Sequence, residues 1–167
     1  MNDTISTIRS RRSVRKFSSE EIQNGLINSI LEAGRWAPSG LNNQPWRFCV
    51  IRDGKMRESL AALTEYGGII LSCGACIAVM YHRPSGYNRE KDIMSIGACI
   101  QNMLLAAASL GMGAVWLGEI LNRKNEAGRL LGAGDDYELM AVIAMGWPDE
   151  SPVGERMPLE NLVVKRF

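Results

Sequence analysis

Apolar residues along this chain recur first at helical spacing and later at strand spacing. Ile22, Leu26, Ile27, Ile30 and Leu31 share one face of a helix. Ser18 and Glu21 have the spacing of a capping box, which predicts that this helix opens at Ser18. A shorter helix, TISTIRSR, precedes it with Asp3 as its cap, and SVRKF between the two reads as extended. Pro38 and Gly40 end the second helix within APSGLNNQPW. RFCVIR then has the character of a strand, and Asp53 caps a helix around KMRESLAAL. Gly67 and Gly68 punctuate the chain before an apolar segment whose end, ACIAVMY, reads as a buried strand.

After the loop HRPSGYNREKD, the longest helix is predicted from Asp92 to Leu110, with Ile96, Ile100, Met103, Leu104 and Ala107 in register. It is apolar or small almost all round, which implies burial on several sides and cover from a second copy of the chain. AVWLG and ELMAVIAMG are two further strands with a helix between them, and WPDESPVGERMPLENLVVKRF is an extended tail. Helices and strands mix without strict alternation, as in a three-layer α+β domain. No repeat or linker divides the chain, so residues 1–167 are read as one domain.

The uncharged stretch from Ile93 to Gly118 is long enough to suggest a membrane span. Gln101, Asn102 and the stop at GMG argue instead for a buried helix followed by a buried strand. With a polar N-terminus as well, the expectation is a cytoplasmic protein without a membrane partner. Composition agrees with an ordinary globular domain: 46% of residues are hydrophobic and 22% charged. A formal net charge of +1 excludes the broad basic footprint of a nucleic-acid binder.

Chemistry-bearing motifs are mostly missing. There is no glycine-rich dinucleotide or phosphate loop, and the single histidine, His82, cannot build a multi-histidine metal site or a hydrolytic triad. Cys73 and Cys76 in CGAC have the spacing of a redox or metal pair, but they sit in an apolar run and read as buried structural thiols. No metal is expected.

The exception is local. Arg11, Arg12 and Arg15 surround Ser13 in RRSVRKF, a set of donors suited to a phosphate. Alternation along an extended segment puts Ser13 and Arg15 on one face. Charge alone leaves a solvated patch and an anion site as alternatives.

RRSVRKF followed by APSGLNNQPWRF resembles the nitroreductase family of FMN-dependent flavoproteins. GMGAVWLGE, AVIAMGWPDE and ERMPLENLVV resemble the family's late strand, closing strand and tail, in the same order. The resemblance implies a three-layer α+β fold around a mostly antiparallel sheet, in an intertwined homodimer with two sites at the subunit interface. It further implies that Arg11, Arg12, Ser13 and Arg15 bind the phosphate and ribityl chain of FMN, with Arg156 as a second phosphate contact. Pro38, Ser39, Gly40 and Asn42 would come from the other subunit, and the backbone of Gly118 and Glu119 would face flavin N5 and O4. A fixed donor there positions the atom that accepts and gives hydride, so no catalytic side chain is required.

The implied activity is a ping-pong oxidoreductase in which NADH or NADPH is the donor and a nitroaromatic, quinone or similar molecule the acceptor. Reductive dehalogenation or flavin breakdown on the same fold, and a non-catalytic anion-binding module, are the alternatives. One departure is specific: no lysine or arginine lies between Glu58 and His82, where many relatives place a lysine near the flavin pyrimidine. That leaves Arg47 as the candidate cation.

Overall fold

A computed structural model describes residues 3–167 of the chain. Its helices are α1 (Asp3–Ser10), α2 (Asn24–Arg35), α3 (Gly54–Ala61), α4 (Gly67–Ser72), α5 (Arg89–Ser109) and α6 (Lys124–Leu130). Its strands are β1 (Trp46–Ile51), β2 (Ala75–His82), β3 (Gly113–Leu117) and β4 (Tyr137–Gly146), in the order β1-β2-β4-β3 with every neighbouring pair antiparallel.

Both faces of the sheet are covered, which is why its two central strands are almost continuously apolar. On one face Ile77, Val79, Ile143 and Met145 pack with Ile27 and Ile30 of α2 and Ile96, Ile100 and Met103 of α5. On the other, Ala78, Met80, Val142 and Ala144 meet Leu60 of α3, Ile70 of α4 and Ala127 of α6. The register slips between Val79 and Met80, so β4 changes phase there: Leu139 and Val142 face the same side. This is the three-layer α+β arrangement expected from the sequence.

SVRKF is extended, as its pattern predicts. Ser13 makes an isolated parallel bridge to Ala114 of β3, and Phe17 an antiparallel one to Pro148. Two glycines permit this close approach. A Cβ on Gly113 would lie 2.7 Å from Val14 Cγ1, and one on Gly146 would lie 2.9 Å from Phe17 Cδ1. The arginine segment is thereby laid along the β3 side of the sheet.

The capping box does not form. The backbone N–H of Ser18 donates to Trp147 O at 2.9 Å, which keeps the chain extended where the helix was expected to open. Glu21 pairs with Arg52 instead, and α2 begins at Asn24. Asp3 stands in the first turn of α1, not before it. Asp53 does cap α3, accepting from Met56 N at 2.8 Å. The glycine-punctuated segment contains α4, a short helix absent from the sequence reading.

The longest helix starts at Arg89, three residues before the expected Asp92, because Asn88 caps it by accepting from Lys91 N at 3.1 Å. α5 is long and apolar enough to cross a membrane, yet one face packs on the sheet and α2. It is not buried all round within one chain: Met94 is 67% exposed, and Ala98 and Leu105 are half-buried.

Glu138 ties three elements to the start of β4. Its buried carboxylate accepts from Arg89 at 2.9 and 3.0 Å and from Lys124 at 2.6 Å, and Arg83 lies 3.5 Å away. The bonds from Arg89 and then Lys124 outweigh burial and hold the carboxyl down at about 2. A carboxyl lowered by folding stabilises the protein above its unfolded pKa of about 4, and that contribution fades as pH falls toward the folded value. Glu138→Gln should therefore cost about 2 kcal/mol at pH 7, since it removes a buried, charge-assisted acceptor while the half-exposed cations around it rehydrate. Urea unfolding should show the gap between variant and parent closing between pH 4 and pH 2.

Candidate functional site

α1 ends at Ser10, and Arg11 extends its last turn by donating its N–H to Thr7 O at 2.9 Å. Arg12 curls its guanidinium over this chain end, donating to Arg9 O at 2.7 Å, Arg11 O at 2.9 Å and Gly154 O of the tail at 3.3 Å. Gly154 stands between two cations: a methyl group there would lie 3.8 Å from Arg12 Nε and 3.9 Å from Arg156 Nη1. The start and the tail of the chain thus bring Arg11, Arg12 and Arg156 together.

Electrostatically this cluster is unfinished. Among the described residues no carboxylate forms an ion pair with any of the three. Burial, then repulsion from Arg156 and Arg12, pushes the Arg11 guanidinium below its ordinary pKa. Arg11 Nε and Nη1 and Arg12 Nε are buried without a hydrogen-bond partner. Orphaned donors on crowded cations are costly, and an anion with several acceptor oxygens would satisfy them. Of the two alternatives that charge left open, the geometry favours an anion site over a solvated patch.

Ser13 lies on the bridge to β3, and its carbonyl accepts from Arg15 Nη1 at 3.3 Å. The backbone N–H groups of Arg15 and Lys16 donate to Glu150 Oε1 at 2.6 and 3.3 Å, fixing this strand-like segment to the tail. Arg15 then lines a hollow of about 320 Å³ with Tyr66, Trp116, Gly118 and Glu119. The segment therefore runs from the arginine cluster to the turn after β3.

That turn is held by the side chain of Glu119. Its carboxylate accepts from Thr64 Oγ1 at 2.5 Å, from Glu65 N at 3.1 Å and from Asn122 Nδ2 at 3.1 Å. The Thr64 and Asn122 bonds lower its pKa, which keeps it ionised in this role. With the carboxylate committed to the 64–65 loop, the turn offers the hollow its backbone. The sequence reading missed Thr64, Glu65 and Tyr66.

Pro38, Ser39, Gly40 and Asn42 lie elsewhere. They belong to a tight loop in which Leu41, Asn42 and Gln44 all have positive φ, at 55°, 54° and 46°. Non-glycine residues hold this conformation only when their surroundings enforce it. Ser39 Oγ accepts from Gln44 N at 3.0 Å. Asn43 Nδ2 donates to Ser85 O at 2.9 Å and to Asp92 Oδ1 at 2.7 Å. Asp92 is fully buried on α5 and also accepts from Tyr81 Oη, Tyr87 N and Asn88 N at 3.1–3.2 Å.

Pro38, Ser39 and Gly40 line a second hollow, about 360 Å³, with Tyr87, Lys91, Met94 and Ala98. It shares no lining residue with the first. A single chain does not bring the two groups into one site. Arg47 is engaged on this second side, donating to Gln44 O and Trp46 O and reaching His82 and Ser85. It does not join Arg15 and Gly118.

A sequence profile described as the nitroreductase family matches residues 8–66 and 64–147. An Archaeoglobus fulgidus protein provisionally named NADH dehydrogenase/NAD(P)H nitroreductase is 33% identical over 153 residues, covering 90% of this chain and 88% of its own. A Vibrio harveyi NADPH-flavin oxidoreductase is 29% identical over 176 residues, covering 98% of this chain and 73% of its own. Among solved structures, a provisionally named nitroreductase from Desulfovibrio desulfuricans in complex with FMN superposes with a TM-score of 0.97 at 43% identity, over 99% of this chain and 98% of that one. With the fold, the order of the motifs and these matches in agreement, the chain belongs to the nitroreductase family.

Proposed function

We propose that this chain is an FMN-dependent NAD(P)H oxidoreductase that works as a homodimer on nitroaromatic, quinone or similar acceptors. The observation that carries it is the cluster of Arg11, Arg12 and Arg156: Arg11 and Arg12 have buried, unpartnered donors, Arg156 adds a third positive charge, and among the described residues no carboxylate pairs with them. Arg15 of the same segment lines the hollow at the Gly118–Glu119 turn. An FMN phosphate matches those donors in charge and in number of acceptor oxygens. The FMN-bound Desulfovibrio desulfuricans structure and the Vibrio harveyi NADPH:FMN oxidoreductase complexed with NAD+ (TM-score 0.90, 25% identity) support the same cofactor pair.

Each residue then has a task. Arg11, Arg12 and Arg156 neutralise the phosphate, while Ser13 and Arg15 lead along the ribityl chain. The Glu119 carboxylate, spent on Thr64 and Glu65, orients the backbone of Gly118 and Glu119 toward flavin N5 and O4. When bound, FMN supplies the hydride acceptor and donor chemistry that no side chain here provides. Pro38, Ser39, Gly40 and Asn42 close the opposite side of the site, contributed by the second subunit.

The dimer is also supported by surface left uncovered in one chain. Met94 on α5 and Val153, Met157, Leu159, Leu162, Val164 and Phe167 on the tail are exposed apolar side chains. We place the enzyme in the cytoplasm, which suits four cysteines present as free thiols.

The purified protein should be yellow with an oxidised-flavin spectrum, and mass analysis of the heat-released cofactor should give FMN. It should oxidise NADH or NADPH only when a nitroaromatic or quinone acceptor, or dioxygen, is supplied. A colourless, folded protein that cannot be reconstituted with FMN would overturn the reading.

A further inference from the structure

On the face of the sheet covered by α3, α4 and α6, two cysteines are in contact. Cys73 closes α4 as its C-cap, and Cys76 is the second residue of β2. Their sulfurs are 3.4 Å apart. Cys99 packs on the opposite face of the sheet, with α2 and α5, while Cys49 borders the pair's own face from β1 without a hydrogen bond to either sulfur. The four cysteines therefore do not converge on a metal site; two of them form a pair.

The pair has an electrostatic neighbour. Arg57 of α3 donates through Nη1 to the carbonyls of Leu71 and Cys73, while its Nε is buried without a partner. No carboxylate pairs with it among the described residues. The hydrogen bond from Cys76 and the charge of Arg57 lower the Cys73 thiol, whereas the same contact and then burial raise Cys76 well above the ordinary range. As a thiol Cys73 donates to Ile70 O at 3.2 Å; as a thiolate it accepts from Cys76.

The pair also has an approach. Cys73, itself 2% exposed, borders with Gly74 and Arg57 a hollow of about 590 Å³ that Arg52, Glu20 and Glu21 also line. It is distinct from both hollows of the proposed active site, with which it shares no lining residue.

From this arrangement we propose that Cys73 and Cys76 are a thiol–disulfide exchange site, in which a small-molecule disulfide enters the Arg57-lined hollow, is attacked by Cys73 and is resolved by Cys76. In the first step the Cys73 sulfur bonds to one sulfur of the small disulfide. The S–S bond of that molecule breaks, and its other half leaves as a thiolate that takes up the proton given up by Cys73. In the second step Cys76 loses its proton and bonds to Cys73, and the second half leaves as a thiol. Two protein thiols and one small disulfide become one protein disulfide and two small thiols. The spacing suits the second step, because sulfurs already in contact need only a small displacement to reach bonding distance.

The test uses the intact protein and oxidised glutathione, followed by acid quenching, alkylation and peptide mass analysis. The peptide carrying both cysteines should lose its alkylatable thiols at least about tenfold faster than Cys49, which is more exposed but whose thiol burial raises. It should appear as an internal disulfide that dithiothreitol reverses. Cys76→Ser should trap a glutathione adduct on Cys73, and Cys73→Ser should leave Cys76 unmodified. Arg57→Gln should slow the exchange about tenfold. Oxidation of Cys49 or Cys99 first, an adduct on Cys76 in Cys73→Ser, or full alkylation of the pair after exposure would each sink the proposal.

Discussion

Arg11→Ala should weaken FMN binding by about ten- to a hundredfold while leaving riboflavin binding nearly unchanged. A hydrogen bond to a charged group contributes roughly 1.5–3 kcal/mol, and Arg11 has two buried donors waiting for a partner. Riboflavin lacks the phosphate and should not sense the loss. The apoprotein should be no less stable than the parent, because the substitution removes a cation that burial, Arg156 and Arg12 all disfavour. Titration of apoprotein with each flavin, alongside thermal unfolding without flavin, measures all three quantities. Equal weakening of FMN and riboflavin would mean that Arg11 does not meet a phosphate.

The second large effect is one of complementation. Arg11→Glu opposes the phosphate with a negative charge, and Ser39→Trp crowds the loop assigned to the other subunit's flavin. Each homodimer should therefore purify without FMN. A heterodimer of the two should recover close to half of the parent's flavin and activity. One of its sites draws Arg11 from one chain and Ser39 from the other, both intact, whereas its second site carries both defects. Differently tagged chains isolate that species. A folded, dimeric heterodimer that stays colourless would place the whole site within one chain, against the separate hollows seen here.

What could be read from the sequence was local in origin. The Asp53 cap spans three residues, and the face of α2 repeats within one turn, so neighbouring residues specify them. The Ser18–Glu21 signal was equally local and failed, because Trp147 O, far away in sequence, claims the Ser18 N–H first. α4 was missed because Gly-Gly-Ile-Ile-Leu-Ser carries little helix propensity, and the helix is supported by burying Ile70 against the sheet.

The candidate site divides in the same way. RRSVRKF announces cations, but their crowding depends on where the tail delivers Arg156. The grip of Glu119 on Thr64 crosses 55 residues and leaves no pattern to find. Asp92 looked like the start of a helix and is instead a buried carboxylate inside it.

Asp92 also sets how this scaffold can drift. Four donors converge on its two oxygens, from Asn43, Tyr81, Tyr87 and Asn88. An asparagine would point an NH₂ group at donors on one side, and a glutamate would need an extra methylene in a site without space. Position 92 is thus nearly closed to substitution, whereas Leu41, at the tip of the loop it anchors, is 86% exposed and limited mainly by its φ of 55°, which disfavours proline and β-branched residues. Mutations can accumulate on the rim of that loop while the backbone beneath keeps its shape. A lineage carrying this chain can vary that surface without first having to rebuild the fold.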